Sequence, residues 1–224
     1  MTILAVVGLA REARIIAGGG VRVIVGAGRA LYLRQEIEKT IQSNVRGIIS
    51  IGIAGALSPI LSTGDCVLAS AVQTDGRLLR TDERWTEALR QRLPGTVPTR
   101  ILGTDSILAT AYEKRRQFAR TAAHAVDTES HVVAAVATER KIPFAVLRVI
   151  LDPANRDLPP AAIMAIRPDG STNPTAVLKS VISQPSQIPL LIRTGCDSRV
   201  AFRSLLRCQQ SLGPAFAAPD SMRK

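Results

Sequence analysis

Residues 123–152 read AHAVDTESHVVAAVATERKIPFAVLRVILD, and this stretch decides the fold. Ala125 and Val126 form a short strand that runs into Asp127-Thr128-Glu129-Ser130, and a helix follows through Arg140. Pro143 then opens a run from Phe144 to Ile150, rich in the branched residues that a strand buried on both faces prefers. Two acids, Glu129 and Asp152, punctuate this apolar unit. Asp152 falls where the strand ends, and in open α/β sheets the carboxyl ends of strands line the ligand crevice. The plainer alternative is structural: Asp127 or Ser130 as an N-cap, Glu129 in a first turn favoured by the helix dipole, and Asp152 as a turn starter before Pro153.

Outward from this unit the chain alternates strands and helices. Ile3 to Gly8 and Val21 to Gly26 read as strands separated by a short helix over Arg11 to Ile16, and Gly47 to Ile53 follows a longer helix from Ala30 to Ser43. Gly64 to Thr74 and Gly76 to Arg80 form an antiparallel excursion that turns at Asp75-Gly76, a dipeptide suited to a hairpin. A helix near Asp82 to Leu93, a strand from Thr99 to Gly103 and a helix from Ser106 to Arg120 complete the pattern. The fold class is α/β: a single domain over residues 1–224, three-layer α/β/α, with a mixed sheet curling toward a barrel.

Composition narrows the function classes. A chain of 224 residues suits one such domain, burying about 70% of the surface an unfolded chain exposes. Cys66, Cys196 and Cys208 make neither a paired set nor a C-x-x-C, which argues against a disulfide framework or a zinc site and for a reducing cytoplasm. No apolar run approaches the roughly 18 residues of a membrane span, and the N-terminus reads as a strand, not a signal peptide. The net charge of +11 invites nucleic acid or an anionic surface, but with 3% aromatics there is little stacking platform and the arginines are scattered, so no specific nucleic-acid partner is expected. One exception is residues 199–208, a C-terminal basic amphipathic helix in which Arg199, Arg203 and Arg207 recur every four residues beside Val200, Phe202, Leu205 and Leu206. Such a helix either packs on the domain with its arginines outward or makes peripheral contact with an anionic membrane.

The turn Gly26-Ala27-Gly28-Arg29 resembles a phosphate-cradling loop, but Leu31 stands where a dinucleotide fingerprint needs its third glycine. Gly18-Gly19-Gly20 reads as a flexible connection. His131 lies two residues after Glu129, about 200° around the helix, and His124 precedes the strand, so neither reads as a catalyst. With no Cys/His/Asp cluster at ligand spacing, no metal is expected, and no nicotinamide, flavin or pyridoxal cofactor is indicated.

Gly52-Ile53-Ala54-Gly55-Ala56-Leu57, Gly64-Asp65, Val126-Asp127-Thr128-Glu129-Ser130 and Arg148-Val149-Ile150-Leu151-Asp152 follow one another in an order and spacing that resembles the nucleoside phosphorylase and nucleosidase superfamily. That family includes purine nucleoside phosphorylases and methylthioadenosine/S-adenosylhomocysteine nucleosidases. The resemblance covers roughly residues 1–165. VGLAREARI at the start, the VDTES form of the ribose motif, LRVILDPANRDLPPAA and RPDGSTNPTAVLKSVISQPSQIPLLIR are similar to the hopanoid-associated branch, thought to remove adenine from adenosylhopane.

The resemblance implies a purine N-glycosidase. Breaking the N-glycosidic bond develops positive charge on the ribose and negative charge on the base, so an enzyme gains by protonating N7 and stabilising an oxocarbenium-like sugar. Asp152 is then the proton donor, Glu129 with Thr128 binds the ribose diol, and Glu12 activates the attacking water, although its spacing from Gly8 is one residue shorter than in the family pattern. The alternative for Glu12 is an exposed first-turn glutamate. Ile53, Ala54, Gly55 and Leu151 line the base and substrate pocket. Ile53, Thr128 and Leu151 depart from the serine, methionine and serine of many nucleosidases, which leaves the substrate open. Phosphorolysis would call on Arg29 or Arg46, but no phosphate motif is complete, so hydrolysis is favoured. The expected substrate is a small-molecule or lipid-linked adenosyl compound and the expected assembly a homodimer. A phosphorolytic enzyme, or an inert relative that binds a nucleoside or an anionic surface, is the alternative.

Overall fold

The computed structural model describes residues 2–219 apart from 19, 43 and 75. In chain order the strands are β1 (Thr2–Val7), β2 (Val21–Val25), β3 (Val45–Ala56), β4 (Cys66–Thr74), β5 (Arg77–Arg80), β6 (Val97–Gly103), β7 (Ala125–Asp127) and β8 (Phe144–Asp152). The helices are α1 (Ala10–Ile16), α2 (Ala30–Ile41), α3 (Glu83–Arg92), α4 (Ala111–Thr121), α5 (Ser130–Arg140), α6 (Pro160–Met164), α7 (Pro174–Ser183) and α8 (Ile188–Leu212).

All the strands join one sheet in the order β2-β1-β3-β7-β6-β4-β5, and β8 bridges β3 and β4. The members β3, β7, β6, β4 and β8 therefore close a barrel of five strands, with β1, β2 and β5 extending from it. β3 makes closure feasible because its length serves two partners on one edge: its start, Val45–Ser50, pairs in parallel with β1 and its end, Gly55 and Ala56, pairs antiparallel with β7, while Ile48–Gly55 pairs in parallel with β8 along the other edge. The sheet is buried on both faces, as its runs of branched residues require. Leu33 and Ile37 of α2 and Val132 to Ala137 of α5 pack against one core. Ile16 of α1, Trp85 and Leu89 of α3 and the apolar stripe of α8 pack against the other. The three-layer α/β architecture expected of the sequence is the one observed.

Several local expectations change. α4 begins at Ala111 instead of Ser106 because Thr110 and Glu113 form a capping box: Glu113 N donates to Thr110 Oγ1 (3.1 Å) and Thr110 N to the Glu113 carboxylate (3.0 Å). The hairpin of β4 and β5 is antiparallel as expected, but its turn residue Asp75 lies outside the described residues, as does Gly19. α6 and α7 have no counterpart in the sequence reading. The C-terminal helix is not confined to residues 199–208: it runs from Ile188 to Leu212, and Phe202 and Leu205 are buried in the core while Arg199, Arg203 and Arg207 point outward. Arg11 covers the remaining edge of Phe202, its guanidinium 4.1 Å above the ring. Packing takes up Phe202 and Leu205, while Ile188, Ile192, Val200 and Leu206 of the same helix are exposed.

Candidate active site

Gly55 is the meeting point of the two acidic motifs. It pairs with Val126 of β7 on one side and with Asp152 of β8 on the other, so the ends of both strands converge at the carboxyl end of β3. A side chain at 55 would crowd the acid, since a Cβ would stand 3.2 Å from both Asp152 carboxylate oxygens. Asp152 is buried, and the fully buried Lys114 of α4 forms an ion pair with its Oδ2.

Glu129 stands just before α5 and is only 4% exposed. Its Oε1 accepts from Thr128 Oγ1 (2.7 Å) and from Gly28 N (3.2 Å). The turn at Gly26-Ala27-Gly28 thus serves a carboxylate of the protein itself, which is why it has the look of a phosphate cradle without the fingerprint. Glycine is needed because a Cβ at Gly26 would come within 2.9 Å of Glu129 Cγ, and one at Gly8 within 3.1 Å of Oε2.

Glu12 sits in the first turn of α1, yet it is 1% exposed, which rules out the alternative of an exposed glutamate. Its Oε2 accepts from Gly8 N (2.7 Å) and Leu9 N (2.6 Å), and its Oε1 from Ile53 N (2.6 Å). The shorter spacing from Gly8 is therefore accommodated: the β1–α1 loop wraps the carboxylate with its own amides.

Arg148, which the sequence reading left without a role, occupies the centre. It is fully buried; its Nε donates to Asp127 Oδ2 (2.7 Å), its Nη2 to Ser50 Oγ (2.5 Å), and Nη2 lies 3.9 Å from Glu129 Oε2. Its Nη1 has no hydrogen-bond partner among the described residues and faces the space at Gly52, where a Cβ would be 2.9 Å from it and 2.4 Å from Glu12 Oε1. One guanidinium thus stands among Asp127, Glu129 and Glu12. Asp127 has a second duty: Oδ1 accepts from Glu129 N (3.0 Å) and Ser130 N (2.7 Å), capping α5 as one sequence alternative supposed.

The electrostatics follow from burial. Desolvation pushes the Glu12 carboxyl up to about 7, with Arg148 and the Ile53 amide opposing it. Burial also raises Glu129 against the pull of Arg148, and raises Asp152 against the pull of Lys114. Desolvation works against the Arg148 charge, but Asp127, Glu129 and Glu12 outweigh it and hold the guanidinium protonated. The site therefore holds three carboxyls that burial pushes above the ordinary carboxylate range, Glu12 to about 7, each opposed by a buried cation, Arg148 for Glu12 and Glu129 and Lys114 for Asp152.

The chain belongs to the phosphorylase superfamily. Its residues 5–183 match the model of that family. Membership agrees with the enzyme class the motifs imply, a nucleosidase or phosphorylase that cleaves an N-glycosidic bond. No curated protein sequence matches the chain at a significant level. Among solved structures, the 5'-methylthioadenosine/S-adenosyl homocysteine nucleosidase of Helicobacter pylori is similar at 18% identity, with 69% of this chain and 86% of that one covered and a TM-score of 0.63. The futalosine hydrolase of the same organism has 18% identity over 82% and 98% of the two chains, with a TM-score of 0.65. The corresponding nucleosidase of S. pneumoniae has 15% identity over 95% and 100%, with a TM-score of 0.66. These likenesses are of fold.

The other sequence candidates fall as follows. Thr128 is half-buried and donates to Glu129, while Ala54 lies in the core beneath the site. Ile53 and Leu151 turn their side chains into the opposite core, so Ile53 reaches the site through its amide and Leu151 through its place before Asp152. Arg29 donates to Pro168 O (3.3 Å) and stacks on Tyr32, 4.5 Å from its ring centre. Arg46 is misplaced as a phosphate ligand: it stands at the start of β3, nine residues before Gly55, about 30 Å away by strand rise. His131 pairs with Asp105 (2.9 Å). Lys114 and Arg148 were missed. Their signal was present: each is a cation in an apolar setting, Lys114 on the face of α4 that carries Phe118 and Thr121, and Arg148 in the middle of a buried strand.

Proposed function

We propose that the protein hydrolyses the N-glycosidic bond of a 5'-substituted adenosine, releasing adenine, with adenosylhopane as the substrate. The observation that supports the reading is that the three acids marked by the resemblance are all buried, Glu12 and Glu129 about the Arg148 guanidinium and Asp152 at the end of β8. Asp152 donates a proton to N7 as the bonding pair of C1'–N9 passes to the base. Glu129 accepts hydrogen bonds from the ribose diol and its charge favours the cationic sugar. Glu12 takes a proton from the water that attacks C1'. Hydrolysis is favoured over phosphorolysis because Arg46 stands at the wrong end of β3 and Arg29 is engaged by Pro168 O and Tyr32. The apolar 5' substituent rests on the likeness of residues 147–162 and 167–193 to the hopanoid-associated branch, and the net charge of +11 suits an enzyme that meets a lipid-linked substrate at an anionic surface.

The test is adenine release from adenosylhopane, methylthioadenosine and adenosine, with and without phosphate. A free sugar product in both conditions supports hydrolysis, and a sugar 1-phosphate overturns it. Activity on methylthioadenosine far above that on adenosylhopane would remove the hopanoid reading and keep the nucleosidase.

A further inference from the structure

Helix α4 sends one buried cation to the acid at the end of β8. Lys114 is fully buried although it begins the run Lys114-Arg115-Arg116, whose two arginines are exposed. Besides its ion pair with Asp152 Oδ2, its Nζ donates to Pro153 O (3.2 Å) and Arg156 O (2.8 Å). Among the described residues no other side chain hydrogen-bonds Asp152. Of the remaining elements packed on that carboxyl, Gly55 in β3 has no side chain, Val126 in β7 is apolar, and Arg156 beyond β8 is paired with Asp197 of α8 (2.7 Å). Lys114 is thus the cation in direct contact with the candidate proton donor.

We propose that Lys114 is a positioning residue for Asp152: it fixes the carboxyl through Oδ2 and stabilises the carboxylate that remains once the proton has gone to the departing base. The catalytic part rests on the reading of Asp152 given above; the pairing does not. Burial alone would make Asp152 hold its proton too firmly to give it up, and the ammonium opposes that hold. In the step itself the Asp152 O–H bond breaks, the proton forms the N7–H bond, and the C1'–N9 pair moves into the purine. The charge on Lys114 is unchanged, and the new negative charge on Asp152 appears against it. A buried carboxylate without that partner would carry a large desolvation cost. The two backbone acceptors also tie the ammonium to the turn that follows β8, so the same side chain sets the place of the acid.

The experiment is a titration of Asp152 by 13C NMR, with aspartate labelled at the carboxyl carbon, in the unaltered protein and in Lys114→Met. The Asp152 midpoint should move to higher pH in the variant by about 1 to 3 units, the range for loss of an opposite charge in contact. The limb of kcat for adenine release that follows Asp152 should move with it while KM stays nearly constant, and Lys114→Arg should keep the midpoint below that of Lys114→Met. An unmoved midpoint in folded Lys114→Met overturns the inference. If that variant does not fold, the unaltered protein still decides, because the 15N resonance of Lys114 Nζ must inflect at the Asp152 midpoint, and a flat profile overturns the inference. A coupled titration in a protein that releases no adenine supports the pairing and removes the nucleosidase reading. Adenine release with uncoupled titrations does the reverse.

Discussion

Arg148 Nε lies 2.7 Å from Asp127 Oδ2 in an ion pair from which solvent is almost wholly excluded, with side chains 0% and 1% exposed. Because Asp127 Oδ1 caps the start of α5 through the amides of Glu129 and Ser130, the guanidinium indirectly sets where Glu129 begins its helix. Removing one partner leaves a buried charge uncompensated, which costs more than the pair contributes net. Arg148→Met should lower unfolding stability in urea by about 3 to 5 kcal/mol. The double variant Arg148→Met with Asp127→Asn should lose less than the sum of the single losses. Additive losses would mean that the contact carries no coupling.

Asp152→Asn keeps the size of the side chain and removes its ionisable proton. The chemical step should slow by roughly 10² to 10⁴, the usual range for a general acid, with the loss in kcat at saturating substrate. Near-normal turnover would remove Asp152 as the donor to N7.

Glu129→Gln tests the reading of the ribose. The variant should lose activity on ribosides, and the unaltered enzyme should process a 2'-deoxy substrate far more slowly than its ribo counterpart, because a buried acceptor set is left without its donor. Equal rates on the two substrates would show that Glu129 does not read the diol.

Glu12 predicts a pH dependence of both stability and rate. Folding raises its carboxyl from 4.5 to about 7, so between those values the folded chain binds more protons than the unfolded one. The contribution is then fully present below pH 4.5 and is lost as pH rises through about 7, on the order of 3 kcal/mol in all. Urea unfolding at pH 5 and pH 8 should show a smaller drop for Glu12→Gln than for the unaltered protein, whatever the absolute stability of the variant. In the role proposed for Glu12 the ionised form is the base, so kcat/KM should rise with pH through a limb near 7 that Glu12→Gln lacks.

How much of this was legible in the sequence differs by residue. The bodies of β3, β7 and β8 were readable as Gly47–Ile53, Ala125–Val126 and Phe144–Ile150 because branched residues mark a buried strand, and the acids that follow β7 and end β8 break that pattern visibly. That β3 receives both β7 and β8 was not readable, since the closing register depends on contacts across the barrel. The cations Lys114 and Arg148 were overlooked for different reasons: Lys114 is masked by the exposed arginines that follow it, and Arg148 was read as a motif letter instead of a charge needing partners. α7 carried a signal that went unread, Asn173 before Pro174, whose carboxamide accepts from Ala176 N (3.3 Å). The amphipathic pattern of residues 199–208 does not say whether its apolar face meets the core or another surface, and here Phe202 and Leu205 meet the core while Val200 and Leu206 are exposed.

Gly52 gives the sharpest test that the carboxylates are fixed in place. Its backbone is not in the left-handed region, so a substitution there is a matter of space alone, and a Cβ would meet Glu12 Oε1 at 2.4 Å, Glu12 Cδ at 2.8 Å and Arg148 Nη1 at 2.9 Å. Neither neighbour has freedom to withdraw. Glu12 is held by the amides of Gly8, Leu9 and Ile53, and Arg148 by Asp127 and Ser50. Gly52→Ala must therefore push Oε1 off the Ile53 amide or shift β3, at a cost of about 1 to 3 kcal/mol for overpacking a filled interior. Activity should fall by at least about tenfold through kcat, since Glu12, in its proposed role of activating water, loses its line to C1' when displaced by a few tenths of an ångström. Gly195→Ala supplies the control: this glycine is in α8, nothing stands within 4 Å of its Cβ position, and helix propensity makes alanine neutral or stabilising by up to about 1 kcal/mol. Urea unfolding and adenine release measured on both variants should separate them in both readouts, and a Gly52→Ala protein as stable and as active as Gly195→Ala would mean that Glu12 is free to move.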